Sequence, residues 1–360
     1  MKNKKLRIVF MGTPEFSVPV LEALIENYQV VGVVTQPDKE VGRHHEIKPT
    51  PVKEVALKNN ILVLQPQRIK KEYQEILGLN ADLIVTCAYG QMIPKEILDA
   101  PKYGCINVHA SLLPKLRGGA PIHRAIINNE TRTGITIMYM VEKMDAGDIL
   151  AQEETPIFKE DNVGILHDRL SKMGAKLLIE TIPDLINGKI KPIPQKEEEV
   201  TYAWNIKREE EKIDFNQRTI DIYNQIRGLN PWPGGYALLE GKVVKIYEAR
   251  ISDSFFTTKK NGEIGKIYED GIGVSTKDGE IIITKLQPSG KRKMLAKEYL
   301  NGVHEEDFLG KVFNEDIGSS NQDREKFLLT HKIALFVVVF SCNITASSDS
   351  SIKDVVPNDI

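Results

Sequence analysis

Little in this chain points to a cross-linked or metal-built scaffold. Its three cysteines (Cys87, Cys105, Cys342) lie far apart with no CxxC pair, which argues against a disulfide framework or a cysteine-built zinc site and fits a reducing cytosol. Cys87 and Cys105 fall in apolar runs and read as small buried hydrophobes. Long apolar stretches are also lacking. The run before Gly12 is shorter than the ~7–15 residues of a signal-peptide core and reads as a first buried strand. The later run IALFVVVFSC falls well short of the ~20 residues of a membrane span; it reads as a buried segment with no assigned function, and as an aggregation hazard if exposed. Charge of one sign is scarce too. With a formal net charge of −2, any contact with RNA must come from local basic patches and not from the field of the whole molecule. No GxGxxG follows the first strand, and HExxH, GxSxG and Walker patterns are missing, so a dinucleotide site is not supported.

What is present fits two packed units. At 360 residues, 41% hydrophobic and 27% charged, the chain has the size and balance for two globular domains. From Leu6 to about Leu185, short apolar runs alternate with helix-like stretches: LRIVFMG, VVGVVT, ILVL, ADLIVTCAYG and GCINVH each precede a turn and an amphipathic or capped segment. That rhythm predicts an α/β, Rossmann-like parallel sheet. Thr13-Pro14-Glu15 and Thr50-Pro51 both read as helix starts. The proline-bearing, polar stretch NGKIKPIPQKEEEV reads as an extended linker, which places domains at 1–186 and 207–313, a linker at 187–206 and a tail of unknown role at 314–360. Asp214 to Arg227 has a helical pattern, broken by LNPWPGGY. Short strands at close spacing then predict a small OB-type β-barrel.

The chemistry concentrates in GCINVHASLLPKLRGGAPIHRAI and GITIMYMVEKMDAGDIL. If Cys105 to His109 is a strand, Asn107 and His109 project from one face near its C-terminal end, where parallel-sheet enzymes place their sites. An amide and an imidazole side by side can both donate hydrogen bonds to an oxygen that becomes negative as a nucleophile adds to a carbonyl. Asp145, on the turn after GITIMYMV, can return to the same mouth as a carboxylate that favours a charged histidine or accepts a proton. On spacing alone the Asn-x-His pair also describes a structural hydrogen-bonding pair, and Asp145 a turn-forming aspartate. Ser111 to Pro114 form a rigid exit from the sheet, along whose backbone a ligand can lie.

These segments, with MGTPEFSVPVLEAL, TQPDKEVGR, ADLIVTCAYGQMIP and IRGLNPWPGGY, make the chain resemble the methionyl-tRNA formyltransferase family from about Leu6 to Phe313. NVHASLLPKLRG and MDAGDIL are shared by the wider folate-dependent formyltransferases, whereas the MGTPEF start, the QPDK loop and the NPWPG turn point to the tRNA branch. The resemblance implies a catalytic set of Asn107, His109 and Asp145 in a cytoplasmic, metal-free, monomeric enzyme. Its donor would be 10-formyltetrahydrofolate and its acceptor the methionine amine of initiator methionyl-tRNA. Ser111, Leu112, Leu113 and Pro114, with Tyr89, Gly90, Gln91, Met92 and Ile93, are the implied folate site.

For tRNA the resemblance implies the loop QPDKEVGRHHEIKPTP, with Arg43 as the recognition residue beside Lys39 and Lys48, and an OB-type second domain. His44-His45-Glu46 stand where further basic residues are expected, and these paired histidines lack a third ligand nearby. Trp204-Asn205 replaces an expected Pro-Lys pair, so Lys207 is the nearest substitute charge. The second domain's dense cluster is Lys291-Arg292-Lys293, which an ordinary charged turn would also produce. Two other readings share the residues: a formyltransferase acting on an amino sugar or a purine-pathway amine, and a tRNA-binding protein without catalysis.

Overall fold

Side chains of the first strand already require cover on both faces. In β1 (Arg7–Gly12) Ile8 and Phe10 pack into one core while Val9 and Met11 pack into another, all of them fully buried, as a strand between two helical layers must. The structure is a computed structural model that describes residues 5–41, 46–253, 259–302 and 304–315. After β1 come β2 (Gln29–Val34), β3 (Lys39–Val41), β4 (Glu46–Lys48) and β5 (Val63–Leu64). They are followed by β6 (Leu83–Cys87), β7 (Cys105–His109), β8 (Arg132–Tyr139) and β9 (Ile149–Pro156). Between them lie helices α1 (Val18–Asn27), α2 (Pro51–Lys58), α3 (Gln74–Gly78), α4 (Lys95–Leu98) and α5 (Pro121–Ile127), and after β9 the long α6 (Val163–Ile186).

Seven of these strands form one sheet in the order β5-β2-β1-β6-β7-β8-β9. Pairing is parallel from β5 through β7, then antiparallel at β7–β8 and β8–β9. The expected parallel sheet therefore gains an antiparallel edge of β8 and β9: β8 runs against β7 although α5 lies between them, and β9 returns from β8 without a helix. The strands β3 and β4 stand apart as a separate antiparallel hairpin. Thr50 caps α2 as its sequence indicates, accepting from the Lys53 amide at 3.1 Å with Pro51 in the first turn. Thr13 caps nothing: its hydroxyl donates to the Tyr89 carbonyl at 2.9 Å, and the chain enters α1 through a short 3-10 turn, Glu15–Ser17.

The second unit, whose core already includes Ile213 and Phe215, contains α7 (Thr219–Gly228), which begins later than the helical pattern indicated because Asp214 organises a turn around the Asn216 amide. Strands β10 (Gly235–Leu239), β11 (Lys242–Ile251), β12 (Ile264–Ile267), β13 (Ile272–Ser275), β14 (Glu280–Pro288) and β15 (Met294–Leu295) follow, with α8 (Ala296–Leu300) after them. The antiparallel order is β10-β11-β14-β13-β12, and β15 adds to β14. Residues 312 and 313 bridge the two free edges, pairing with Glu263 before β12 and with Leu239 of β10. Those bridges close the sheet around a core containing Ile222, Ile246, Val274 and Ile281. The helix α7 also reaches the first unit, where Asn224 donates to Asn129 at 3.0 Å and Arg227 to the Asp161 carbonyl at 3.0 Å.

Candidate active site

The end of β7 opens into a cavity of about 630 Å³, a size that suits a drug-sized ligand. Asn107 and His109, alternate residues of β7, both line it and are otherwise buried. Thr86 sits opposite Asn107 in the parallel ladder with β6, and its hydroxyl donates to Asn107 Oδ1 at 2.8 Å. With the oxygen so occupied, the amide presents its Nδ2–H groups to the cavity.

His109 is held by its other end. Its Nε2 donates to the Leu116 carbonyl at 3.0 Å, since a carbonyl can only accept, which leaves Nδ1 facing Asp145 Oδ2 at 3.8 Å. That separation is too long for a direct hydrogen bond. The Asp145 carboxylate is fixed in turn by the Gly118 amide, which donates to Oδ2 at 2.8 Å. Backbone conformation fits these roles. Asp145 has φ +47, a left-handed geometry that aspartate accepts more readily than most residues. Gly118 has φ +124, and a Cβ there would lie 2.7 Å from the Ala203 carbonyl oxygen.

The stretch expected to be a free linker is instead built into this site. The Arg117 amide donates to the Thr201 carbonyl at 2.9 Å, and the Ala203 amide returns to the Arg117 carbonyl at 2.7 Å. The Arg117 guanidinium is wholly buried, donating to Gln195 Oε1 from Nε (3.0 Å) and Nη2 (2.9 Å), and to Glu197 at 3.1 Å. Gln195 completes the clamp by donating to the carbonyls of Asp145 and Gly147, both at 2.8 Å. Arg117 lies between Leu116, which orients His109, and Gly118, which orients Asp145. The 195–203 strap thereby ties the loop holding both groups to the turn that carries Asp145. Glu197, held by hydrogen bonds from Lys143 and Arg117, keeps its carboxyl below the usual range. Sequence reasoning missed Thr86, Arg117 and Gln195 in these roles; a buried arginine leaves no periodic signal.

A second omission concerns the wall. Trp232, in the NPWPGG turn, lines the cavity and packs edge-on against His167 of α6 at 5.3 Å. Its carbonyl takes a hydrogen bond from His123 Nε2 at 3.2 Å. The turn that breaks the helical pattern thus brings the second unit to the rim of the first. Burial depresses the His123 imidazole below its ordinary value, partly offset by that bond.

Other expected positions divide. Tyr89, Gly90, Gln91, Met92 and Ile93 line the cavity together with Met138 and Met140. Ser111, Leu112, Leu113 and Pro114 do not. Their polar groups are spent on the scaffold: Ser111 Oγ donates to the Lys115 carbonyl at 2.6 Å, the Leu113 amide to Thr136 Oγ1 at 3.1 Å, and the Leu113 carbonyl accepts from Gln152 at 2.9 Å. They support the site from behind. Lys39 and Lys48 are exposed and stand directly opposite each other across the β3–β4 ladder, a like-charge pairing that an anion would relieve. Arg43, His44 and His45 lie outside the described residues, as do Cys342 and the apolar run of the tail. Lys207 is exposed. In the 291–293 cluster, Arg292 pairs with Glu298 at 2.9 Å and Lys293 sits 3.5 Å above the Tyr247 ring. Cys87 and Cys105 are free and buried, and burial pushes the Cys87 thiol up to about 12. Among the described residues, no three His, Cys, Asp or Glu side chains converge as a metal site, and no helix is long and apolar enough to cross a membrane.

Comparison with known proteins matches this geometry to a family. Residues 6–182 match the formyl transferase family and residues 205–304 the formyl transferase C-terminal domain. The chain is 57% identical over 307 residues to methionyl-tRNA formyltransferases of Bacillus thuringiensis, Bacillus cereus and Bacillus anthracis, across 84% of this chain and 97% of each relative. Among solved structures, HypX from Aquifex aeolicus matches with TM-score 0.58 at 21% identity, over 82% of this chain and 48% of HypX, so this chain spans about half of that protein. The N-formyltransferase from Helicobacter canadensis matches with TM-score 0.58 at 21% identity, over 79% of this chain and 99% of that one. At such identities the structural matches speak for the fold, and the sequence relatives for the family: this chain belongs to the methionyl-tRNA formyltransferases.

Proposed function

We propose that Asn107, His109 and Asp145 carry the transfer of a formyl group from 10-formyltetrahydrofolate to the methionine amine of initiator methionyl-tRNA, in the cytoplasm and by a monomer. One observation carries the assignment of roles. His109 has its Nε2 committed to the Leu116 carbonyl and its Nδ1 facing the cavity with Asp145 3.8 Å away, beside an amide whose oxygen is committed to Thr86.

In neutral form His109 therefore presents a lone pair at Nδ1, and in charged form an N–H, with the Asp145 carboxylate nearby. As the methionine nitrogen bonds to the formyl carbon, Nδ1 takes up a proton from that nitrogen, and negative charge develops on the formyl oxygen. The Asn107 Nδ2–H and the new Nδ1–H then donate to that oxygen, the arrangement that stabilises addition to a carbonyl. Collapse breaks the bond from the formyl carbon to the folate nitrogen. The proton held at Nδ1 leaves with that nitrogen, so His109 and Asp145 end as they began. The residues fit the donor as well. The cavity offers a wall of Met138, Met140, Val141 and Met144, and thioethers pack well against a flat heteroaromatic ring. Residues 89–93, with Gly90 at φ +97, line the same cavity.

Contact with the acceptor falls to the exposed Lys39–Lys48 hairpin, to Arg43 between those lysines in the sequence, and to Lys207, as point charges for phosphates. The test is transfer of labelled formyl from 10-formyltetrahydrofolate to methionyl-tRNA, with an amino sugar as competing acceptor. Labelled formylmethionyl-tRNA is the expected product; labelling confined to the sugar contradicts the reading.

A further inference from the structure

We infer that Trp204, backed by Tyr202, is the stacking platform for the unpaired 3′-terminal base of the acceptor RNA, an inference that rests on the reaction proposed above. The two rings lie nearly parallel, 6° apart with centroids at 4.9 Å, yet Tyr202 remains 44% and Trp204 57% exposed. Single exposed aromatics are ordinary on a protein surface. A stacked pair on a fixed backbone is different, because its flat face is already organised for a second flat partner.

The backbone is indeed fixed. Ala203 is fully buried, its amide bonded to the Arg117 carbonyl at 2.7 Å and its carbonyl to the Ala120 amide at 3.0 Å. The Trp204 carbonyl accepts from Arg124 Nε at 3.0 Å, and Arg124 is itself clamped by both oxygens of Glu210 at 2.6 and 3.0 Å. Nothing in this set of bonds needs an indole at position 204.

Location supplies the ligand. Trp204 lines the same cavity as Asn107, His109 and Asp145 but is largely open to solvent, so it stands at the rim. An aminoacyl-RNA carries its amino acid as an ester on the terminal ribose. When the amine reaches Nδ1 of His109, one ester and one ribose separate it from the terminal base, which must then rest at the rim. Three residues further on, Lys207 is exposed, and the Glu210 carboxylate that takes its backbone amide at 3.0 Å is itself paired with Arg124. An aromatic face with a neighbouring cation is the usual means of holding a single-stranded nucleotide without reading its identity.

The test uses the full chain and two competitors, uncharged tRNA and the same tRNA lacking its 3′-terminal nucleotide, against formylation of methionyl-tRNA. In the wild type, loss of that nucleotide should weaken inhibition by roughly 10-fold or more, within the range of base–aromatic stacking. In Trp204→Ala the two competitors should become nearly equal, while Trp204→Phe keeps most of the difference. A discrimination unchanged in Trp204→Ala overturns the platform. So does an equal weakening of both competitors, which is the mark of a merely structural side chain. Wild-type protein that makes no formylmethionyl-tRNA at all would instead defeat the reaction itself, and the platform with it.

Discussion

The Gln195 carboxamide offers a way to loosen the Asp145 turn without touching a reacting group. Its Nε2 holds the Asp145 and Gly147 carbonyls at 2.8 Å, and its Oε1 receives Arg117 at 2.9 and 3.0 Å. Gln195→Glu keeps an acceptor for Arg117, and a charged one, but removes both donors and sets a carboxylate against two carbonyl oxygens. At about 1 kcal/mol net per hydrogen bond, the loss is about 2 kcal/mol, or roughly 30-fold in the share of molecules with the turn in place, given tenfold per 1.4 kcal/mol. Single-turnover formyl transfer should slow by about that factor, with KM for methionyl-tRNA changed by no more than about threefold. Gln195→Ala differs, because it also strips the wholly buried Arg117 of two of its three bonds. Removing a partner from a buried charge costs about 3–5 kcal/mol, so its thermal midpoint should fall below that of Gln195→Glu. Equal midpoints for the two variants, or transfer by Gln195→Glu at the wild-type rate, would refute the clamp.

Gly118→Ala places a Cβ 2.7 Å from the Ala203 carbonyl at φ +124; we expect about 1–3 kcal/mol of destabilisation in denaturant unfolding, together with slower transfer as the amide leaves Asp145. Thr86→Val keeps the shape but withdraws the donor from Asn107 Oδ1, and should cost about tenfold in kcat for an interaction of that class, a loss that Thr86→Ser partly restores. For His123, whose folded value is depressed below 6.5 by burial, the linked stability is fully present above the unfolded value and is lost as pH falls through the folded one. Thermal midpoints should therefore decline below about pH 6.5 less steeply in His123→Gln than in the wild type. Truncation after Gly310 should open the barrel by removing the strand that bonds Gly262 and Leu238, whereas truncation after Asn314, whose side chain holds the Leu238 amide at 3.0 Å and the Ile213 carbonyl at 2.8 Å, should leave transfer intact.

Local signals carried much of the fold. The unbroken apolar runs in RIVFM and LIVTC marked buried strands, and Thr50-Pro51 marked a capped helix, because in each case one element contains the whole pattern. Spacing also put Asn107 and His109 on one face, and they share one cavity. Relations between distant segments were not legible. Thr13 has the chemistry of a cap but meets the Tyr89 carbonyl, a partner far along the chain, before any helix amide. The role of Arg117 left no mark either, because a lone arginine gives no sign that Gln195 and Glu197 will come to cover it. The strap at 195–203 has the composition of a linker, and only its pairing with residues 117–120 makes it part of the site.

The most direct test of the central claim is the single-turnover rate of formyl transfer to methionyl-tRNA for Asn107→Ala, His109→Ala and Asp145→Ala, each checked for a native thermal midpoint. The account predicts that every variant folds and binds both substrates while transfer falls by at least ~10²-fold, the cost of one lost donor to a developing oxyanion. A variant at Asn107 or His109 that transfers formyl at close to the wild-type rate would contradict it.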